Sequence, residues 1–356
     1  MAKARDESRY GRGHEDGLEP LEPLDPMQAS SVDALVRGMG RTAFGGRRLG
    51  EAADVLEAMV RDPDCFRVVT ISGAMTIAKQ GLLLCEMIDR GWVHAVVTTG
   101  ALMTHGLSEG AGMLHFRHNP SMSDEELYGK GYNRVYDTIE LEKNLDDVER
   151  ILQHTLEDLS EDEVLSSRFV CERIGQHLEK HAPGRAILKS AVQHGVPVYV
   201  PAFTDSELGL DLAIANHLRA AAGRRTFRFD PFIDLDDFAE RIRRHETLGI
   251  FTIGGGVPRN WAQQVGPYLE ILRVRLGVDE PVRRYKYAVR LCPEPEHWGG
   301  LSGCSYSEGI SWGKFVPESE GGRFAEVFAD ATIAWPLVVR SVIERVDAAG
   351  SPDPSR

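Results

Sequence analysis

The chain has 356 residues, 42% hydrophobic and 27% charged, with a formal net charge of −13. That length supports one large α/β domain or two smaller ones with a sizeable core, and the composition is that of an ordinary globular chain. The acidic balance argues against nucleic acid or an anionic membrane as the main partner and suits a cationic ligand.

Residues 1–30 are polar, and the near-repeat Leu18-Glu-Pro-Leu-Glu-Pro-Leu-Asp-Pro26 predicts an extended, poorly ordered arm. It is either a plain tail or a segment that packs on a neighbouring subunit. The remainder, 31–350, is expected to form a single α/β domain. Apolar residues at helical spacing over 31–61 (Val32, Leu35, Val36, Met39; Leu49, Ala52, Val55, Leu56, Met59) predict a helix pair around the Gly-rich break Phe44-Gly45-Gly46.

From residue 66 short apolar runs alternate with helical ones. Val68-Val69-Thr70-Ile71 reads as a buried strand, Ser72-Gly73-Ala74 as the turn into a helix through about residue 87, and 93–98 as the next strand. That is a βαβ unit, so the expected fold is a doubly wound, mostly parallel, Rossmann-like sheet with flanking helices. Ligands of such sheets collect at the carboxyl ends of the strands, where helix N-termini offer free N–H groups. Ser72, Gly73, Ala74, Thr98, Thr99 and Gly100 are therefore candidate walls of a dinucleotide site, although no GxGxxG run is present.

Residues 115–137 read as an irregular polar insertion. His115 and His118 stand three apart but lack a third ligand at a telling spacing, so no metal site is expected. Acidic amphipathic helices are predicted at about 144–159, 161–181 and 185–194. Next comes the strand 196–200, with Asp205 just beyond its end, either capping the helix from about 207 or binding a ribose hydroxyl. A helix at 234–246 and a strand at 249–253 lead to Gly254-Gly255-Gly256, where the backbone is free to approach a ligand closely. Strands at 287–291 and near 327–328, the tip Asp330-Ala331 and a helix at 332–347 complete the pattern, with SPDPSR as tail. Five cysteines, an odd number with no CxxC, predict free thiols in a reducing, cytoplasmic setting. No apolar run has the length of a membrane span, and the charged N-terminal stretch lacks the apolar core of a signal peptide.

The rest is organised around residues 299–315, GGLSGCSYSEGISWGKF. Ordering a loop so rich in Gly and Ser is costly, and positioning a reactive amine is one reason to do it. Apolar walls such as Trp312 and Phe315 would disfavour the ammonium form of Lys314 and make it a nucleophile. The plain alternative is a solvated lysine in a turn.

The run Glu308-Gly-Ile-Ser-Trp-Gly-Lys314, followed by Phe324-Ala-Glu-Val-Phe-Ala-Asp-Ala331 and Pro336-Leu337, resembles the active-site segment of deoxyhypusine synthases. Val97-Thr98-Thr99-Gly100, Tyr132-Asn133-Arg134, Pro201-Ala202-Phe203-Thr204-Asp205 and Gly254-Gly255-Gly256-Val257 match the family in the same order, over roughly residues 40–345. The resemblance implies NAD bound by the loops at Ser72, Gly73, Ala74, Thr98, Thr99, Gly100, Asp205, Gly255, Asp330 and Ala331. It also implies an aminobutyl group carried from spermidine as an imine on Lys314, and a homotetramer with sites across a dimer interface. The acceptor would be a lysine of a translation factor, or a free amine as in homospermidine synthases.

The resemblance breaks in the amine pocket. The family's Lys-His-His is Arg259-Asn260-Trp261 here, its Glu-Glu pair is Thr104-His105, an acid expected at Leu210 falls one step late at Asp211, and its Gly-Ser-Asp is Gly299-Gly300-Leu301. Lost acids make a buried diamine costly to hold. The expectation is an NAD-dependent, lysine-centred transferase whose polyamine pocket, with Glu308, Trp312, Asn260 and His105, is altered. The alternatives are an enzyme joining free amines and a non-catalytic NAD-binding relative.

Overall fold

The computed structural model describes residues 5–299 and 303–350; the expectations for Gly300-Leu301 and for the tail 351–356 lie outside these residues. Six strands form the central sheet: β1 (Cys65–Ile71), β2 (Ala95–Thr98), β3 (Val198–Tyr199), β4 (Thr247–Ile253), β5 (Tyr285–Leu291) and β6 (Arg323–Val327). Their spatial order is β6-β5-β4-β1-β2-β3, with every pairing parallel. The chain builds outward from β1 to β3, then returns to β4 and builds the other way. This is the doubly wound fold the sequence implied, and its order reverses between β1 and β4.

Both faces of the sheet are covered, which is why β1 is buried along its whole length. Alternate residues serve opposite cores. Val69, Ile71, Val96, Phe251, Ile253, Val289 and Leu291 pack with the helices Phe44–Arg61 and Gly81–Asp89 and the C-terminal helix Ala331–Gly350. Val68, Ala95, Val97, Leu248, Ile250 and Ala288 meet Phe238, Ile242, Ala262 and Leu269 from Phe232–Arg243, Gly256–Gln263 and Val265–Leu276. The first set of helices is tied in by charge as well: Arg345, 1% exposed at its side chain, donates to Asp33, Asp54 and Glu57.

The helix pair expected over 31–61 is Val32–Gly40 and Phe44–Arg61. Its break falls at 41–43, and the glycines that matter are elsewhere. A Cβ on Gly50 would sit 2.4 Å from Gly40 Cα, so both glycines let the two helices touch. Two further differences are informative. The helix expected straight after Ala74 begins only at Gly81, because Gly73 (φ 76°) and Lys79 (φ 60°) hold the intervening backbone out of the right-handed helix. The insertion at 115–137 is also ordered more than expected: Phe116–Arg117, Tyr132–Val135 and Thr138–Leu141 make a small antiparallel sheet with Thr138–Leu141 in the middle. The arm contains three short 3-10 turns with no buried residue, and Glu22 donates its N–H to Arg41 O at 3.1 Å, against the first helix. Among the described residues no helix is long and apolar enough to cross a membrane.

Candidate active site: a buried lysine at the strand-order reversal

The register of β1 on β4 runs from Cys65↔Thr247 to Ile71↔Ile253, so both strands end level and release their chains side by side. Ser72 follows one strand and Gly254 the other. Ser72 Oγ accepts from Gly255 N–H at 2.9 Å, and Ser72 N–H donates to Ile253 O at 3.1 Å. Gly254 has φ 83°, and a Cβ there would lie 2.2 Å from Ser72 Oγ, so the tie requires glycine on both counts.

Next to this tie opens a cavity of about 500 Å³, lined by Ser72, Thr98, Thr99, Gly100, Ala202, Asp205, Gly256, Val257, Pro258, Arg259, Asn260, Gln263, Gly303, Cys304 and Lys314. Two helices point their N-termini into it. Thr99 caps Gly100–Gly110, accepting from Leu102 N–H at 3.3 Å, and Gly256–Gln263 starts at the wall. Asp205 is exposed on the lining, and the cap of the helix Glu207–Ala221 is Ser206, leaving the aspartate free of that task.

Lys314 reaches the same cavity from another direction. Its loop is anchored at both ends: Tyr285 N–H donates to Lys314 O at 2.9 Å, and Val316 N–H to Tyr285 O at 2.9 Å, so residues 314–316 run beside the start of β5. Phe315 is fully buried against Tyr285, Tyr306 and Phe324. The preceding helix, Tyr306–Ser311, is capped by Ser305, and its first N–H is bound by Glu326 Oε1 at 3.1 Å; the other oxygen of Glu326 accepts from the buried Arg290 at 3.3 Å. Gly309 is required here, because a Cβ would meet the Phe315 ring at 2.6 Å.

The result is a lysine only 7% exposed, whose Nζ donates to Asn260 Oδ1 at 3.3 Å. Burial lowers its pKa from the ordinary 10.5; Cys304 opposes this, the guanidinium of Arg259 adds to it, and Glu308 opposes it more weakly. Arg259, 2% exposed, is fixed by donating to Cys304 O at 2.7 Å and by stacking 5.4 Å over Tyr306.

Of the residues singled out from sequence, Ser72, Thr98, Thr99, Gly100, Asp205, Asn260 and Lys314 meet on this lining. Gly255 supplies the N–H to Ser72, while Gly73 and Ala74 continue the same turn without reaching the lining. Glu308 is exposed, as is Trp312, with the Trp312 ring centred 6.0 Å from Lys314 Nζ. Asp330, at the tip of β6, caps the last helix through Thr332 N–H at 2.8 Å, with Ala331 buried beneath. His105 is not brought to this lining; its ring lies against Glu140. Sequence reading passed over Gln263 and Cys304 as wall residues and treated Arg259 only as a replacement. Gly256, Arg259, Asn260 and Gln263 recur at i, i+3, i+4 and i+7, one helix face, and that spacing was the available signal.

The fold and site thus define a doubly wound α/β protein with a buried lysine on the crevice at its strand-order reversal. The family model described as deoxyhypusine synthase matches residues 34–342. The chain belongs to the deoxyhypusine synthase family. It is 32% identical over 329 residues to "Probable deoxyhypusine synthase 2" of Methanosarcina acetivorans, covering 92% of this chain and 90% of that one. With the protein of the same description from Archaeoglobus fulgidus it shares 32% over 305 residues, 86% of this chain and 96% of the relative. A "Deoxyhypusine synthase-like protein" of Chlorobaculum parvum is 29% identical over 91% of this chain and 89% of its own. A crystal structure of a candidate deoxyhypusine synthase from Entamoeba histolytica superposes with a TM-score of 0.60 at 13% identity, covering 91% of this chain and 97% of that one, which supports the fold.

Proposed function

We propose that this protein is an NAD-dependent transferase that moves an aminobutyl group from a polyamine such as spermidine to an acceptor amine through an imine on Lys314. The observation that carries this reading is the lysine itself: buried, biased toward its neutral form, and lining the cavity that holds the dinucleotide-type features. The residues present fit the cofactor. The helix N-termini at Gly100 and Gly256, with Arg259, would hold its phosphates, Asp205 would accept from a ribose hydroxyl, and the positive-φ Gly254 keeps side chains out of the crevice. When bound, NAD supplies the two-electron oxidation of the carbon beside the donor nitrogen and the later return of those electrons.

The chain's own residues do the rest. Burial and the Arg259 charge favour the free amine of Lys314, whose lone pair forms the new C–N bond while the donor's amine leaves with the proton. Asn260 Oδ1 holds the Lys314 N–H and orients the nitrogen. A neutral carboxamide in place of the family's histidine keeps the direction of the bond without adding a titrating group. Glu308 and Trp312, exposed next to the lysine loop, are suited to hold the free ammonium of the transferred group. An acceptor amine then displaces Lys314, which returns to its starting state. The acceptor is either a protein lysine or a free amine.

Incubation with NAD and spermidine followed by borohydride should leave a stable aminobutyl adduct on the Lys314 peptide by mass spectrometry, absent in Lys314→Ala. Adduct at another lysine, or turnover of any active amine pair by Lys314→Ala at the wild-type rate, would refute the proposal.

A further inference from the structure

Away from the lysine cavity, and among the described residues, His105, His115 and Glu140 bring one ligand atom each within 4.8 Å of one another. They come from three separate segments. His105 lies in the second turn of the helix Gly100–Gly110, His115 directly precedes the strand Phe116–Arg117, and Glu140 belongs to Thr138–Leu141, paired to that strand at Phe116↔Ile139. The group is dry: the side chains of Glu140 and His115 are each 1% exposed, and that of His105 is 19%. Glu140 Oε1 lies 3.2 Å from His115 Nε2, while Oε2 is in direct contact with His105 Nδ1. A carboxylate and two imidazole nitrogens from three segments, drawn to one dry point, form an arrangement that a cation completes.

We propose that His105, His115 and Glu140 bind a divalent transition-metal ion of the zinc class. Two imidazole nitrogens and one carboxylate oxygen are a donor set suited to that ion, and three protein ligands leave a fourth position for water, here on the more open His105 side. Lys79 is the charge to account for. Its Nζ lies 2.7 Å from His115 Nδ1 and 3.4 Å from Glu109 Oε1. With the ion on Nε2, Nδ1 keeps its hydrogen, and the half-exposed lysine turns to Glu109 alone. The ion would fasten the helix that begins at the lysine cavity to the small antiparallel sheet. This inference does not rest on the lysine chemistry and survives its failure.

The test uses the full chain without an affinity tag, stripped with a chelator, reloaded with Zn²⁺ or Co²⁺ and desalted. The expected result is about one ion per chain by elemental mass spectrometry and visible absorption bands of a low-coordinate Co²⁺ site. Glu140→Gln and His115→Gln should weaken metal binding at least about tenfold. His118→Gln, whose ring supplies no atom to the group, should bind as wild type does. The wild-type readouts stand even where a variant misfolds, and circular dichroism identifies such a variant. Wild-type protein that retains well under one-tenth of an ion per chain, or folded Glu140→Gln and His115→Gln that hold metal as wild type does, would overturn the proposal in favour of a hydrogen-bonded trio that carries only protons.

Discussion

Replacing Gly254 by alanine tests the tie that opens the crevice. The new Cβ would stand 2.2 Å from Ser72 Oγ, with Ser72 Cβ at 3.5 Å, on a residue held at φ 83°. Left-handed backbone on a non-glycine residue costs about 1–2 kcal/mol, and forcing an atom into a packed site typically adds about 1–3 kcal/mol. The hydroxyl has nowhere to go without releasing Gly255 N–H, now bound at 2.9 Å. A loss of roughly 2–5 kcal/mol follows, which lowers the melting temperature by roughly 3–7 °C in a chain of 356 residues. The two parts separate in a double-mutant cycle. Ser72→Ala alone gives up the bond to Gly255, about 1 kcal/mol, but it also removes the oxygen that clashes. Gly254→Ala with Ser72→Ala should therefore lose less than the sum of the singles by about 1 kcal/mol or more. Differential scanning fluorimetry on the four proteins is sufficient. Additive losses would show that the contact with Ser72 is not the constraint, and a Gly254→Ala protein melting within a degree of wild type would refute the whole account of this turn.

Because burial and Arg259 lower the Lys314 pKa, the rate of borohydride trapping should rise with pH and level off below 10.5; Arg259→Gln should move that inflection upward by removing a like charge, and an inflection at or above 10.5 in wild type contradicts the reading. Lys314→Met removes a buried amine that the unfolded chain protonates more readily, so at neutral pH the variant should melt no lower than wild type although trapping is abolished. Arg345→Ala removes the buried guanidinium that Asp33, Asp54 and Glu57 share and leaves Arg37 and Arg61 on the two inner acids, which should cost about 1.5–3 kcal/mol, read as a fall in melting temperature. The same network gives a pH dependence: the Asp33 carboxyl pays for burial but is held below its ordinary value by Arg37, Arg345 and Ser341, so its contribution is full above about pH 4 and fades in more acid solution, an acid loss that Asp33→Asn should blunt.

Much of the fold was legible because both signals it depends on are local. Runs such as residues 68–71 and 249–253 are apolar without alternation, the mark of strands covered on both faces, and each ends on glycine or serine. The site was legible in its loops for the same reason: strand ends in a doubly wound sheet share one edge, so Ser72, Thr98, Asp205 and the glycines at 254–256 had to converge. What escaped was long-range. The helix after β1 starts late because two left-handed residues intervene, and only one of them is a glycine a reader would suspect. The sheet at 116–141 has strands of two to four residues, too short for periodicity to register. His105, His115 and Glu140 span 36 positions with no motif spacing, and only the pairing of Phe116 with Ile139 brings the last two together.

The lysine shows how such a sheet can bring a side chain to its crevice from a distant segment. Loops after β1 and β4 make the crevice, but a reactive amine placed on either would be as mobile as the loop and as wet as the ligand. Here the amine comes instead from the segment between β5 and β6, and three constraints hold it there: two backbone hydrogen bonds to Tyr285, the fully buried Phe315 next in sequence, and Glu326 on the N-terminus of the preceding helix. Glu326 is itself positioned by Arg290, whose guanidinium is 1% exposed at the side chain. A rigid approach from the far half of the sheet lets Lys314 be dry without being deeply enclosed, because its partner atoms belong to the helix Gly256–Gln263, which starts at the crevice. Glu326→Ala should thus reveal whether that rigidity matters to the chemistry: with Arg290 deprived of its nearest carboxylate and Tyr306 N–H unbound, the melting temperature should fall by several degrees and trapping at Lys314 should slow, while Glu326→Gln, which keeps an acceptor, should recover most of the trapping. Equal trapping in Glu326→Ala and wild type would mean that the lysine finds its position without this support.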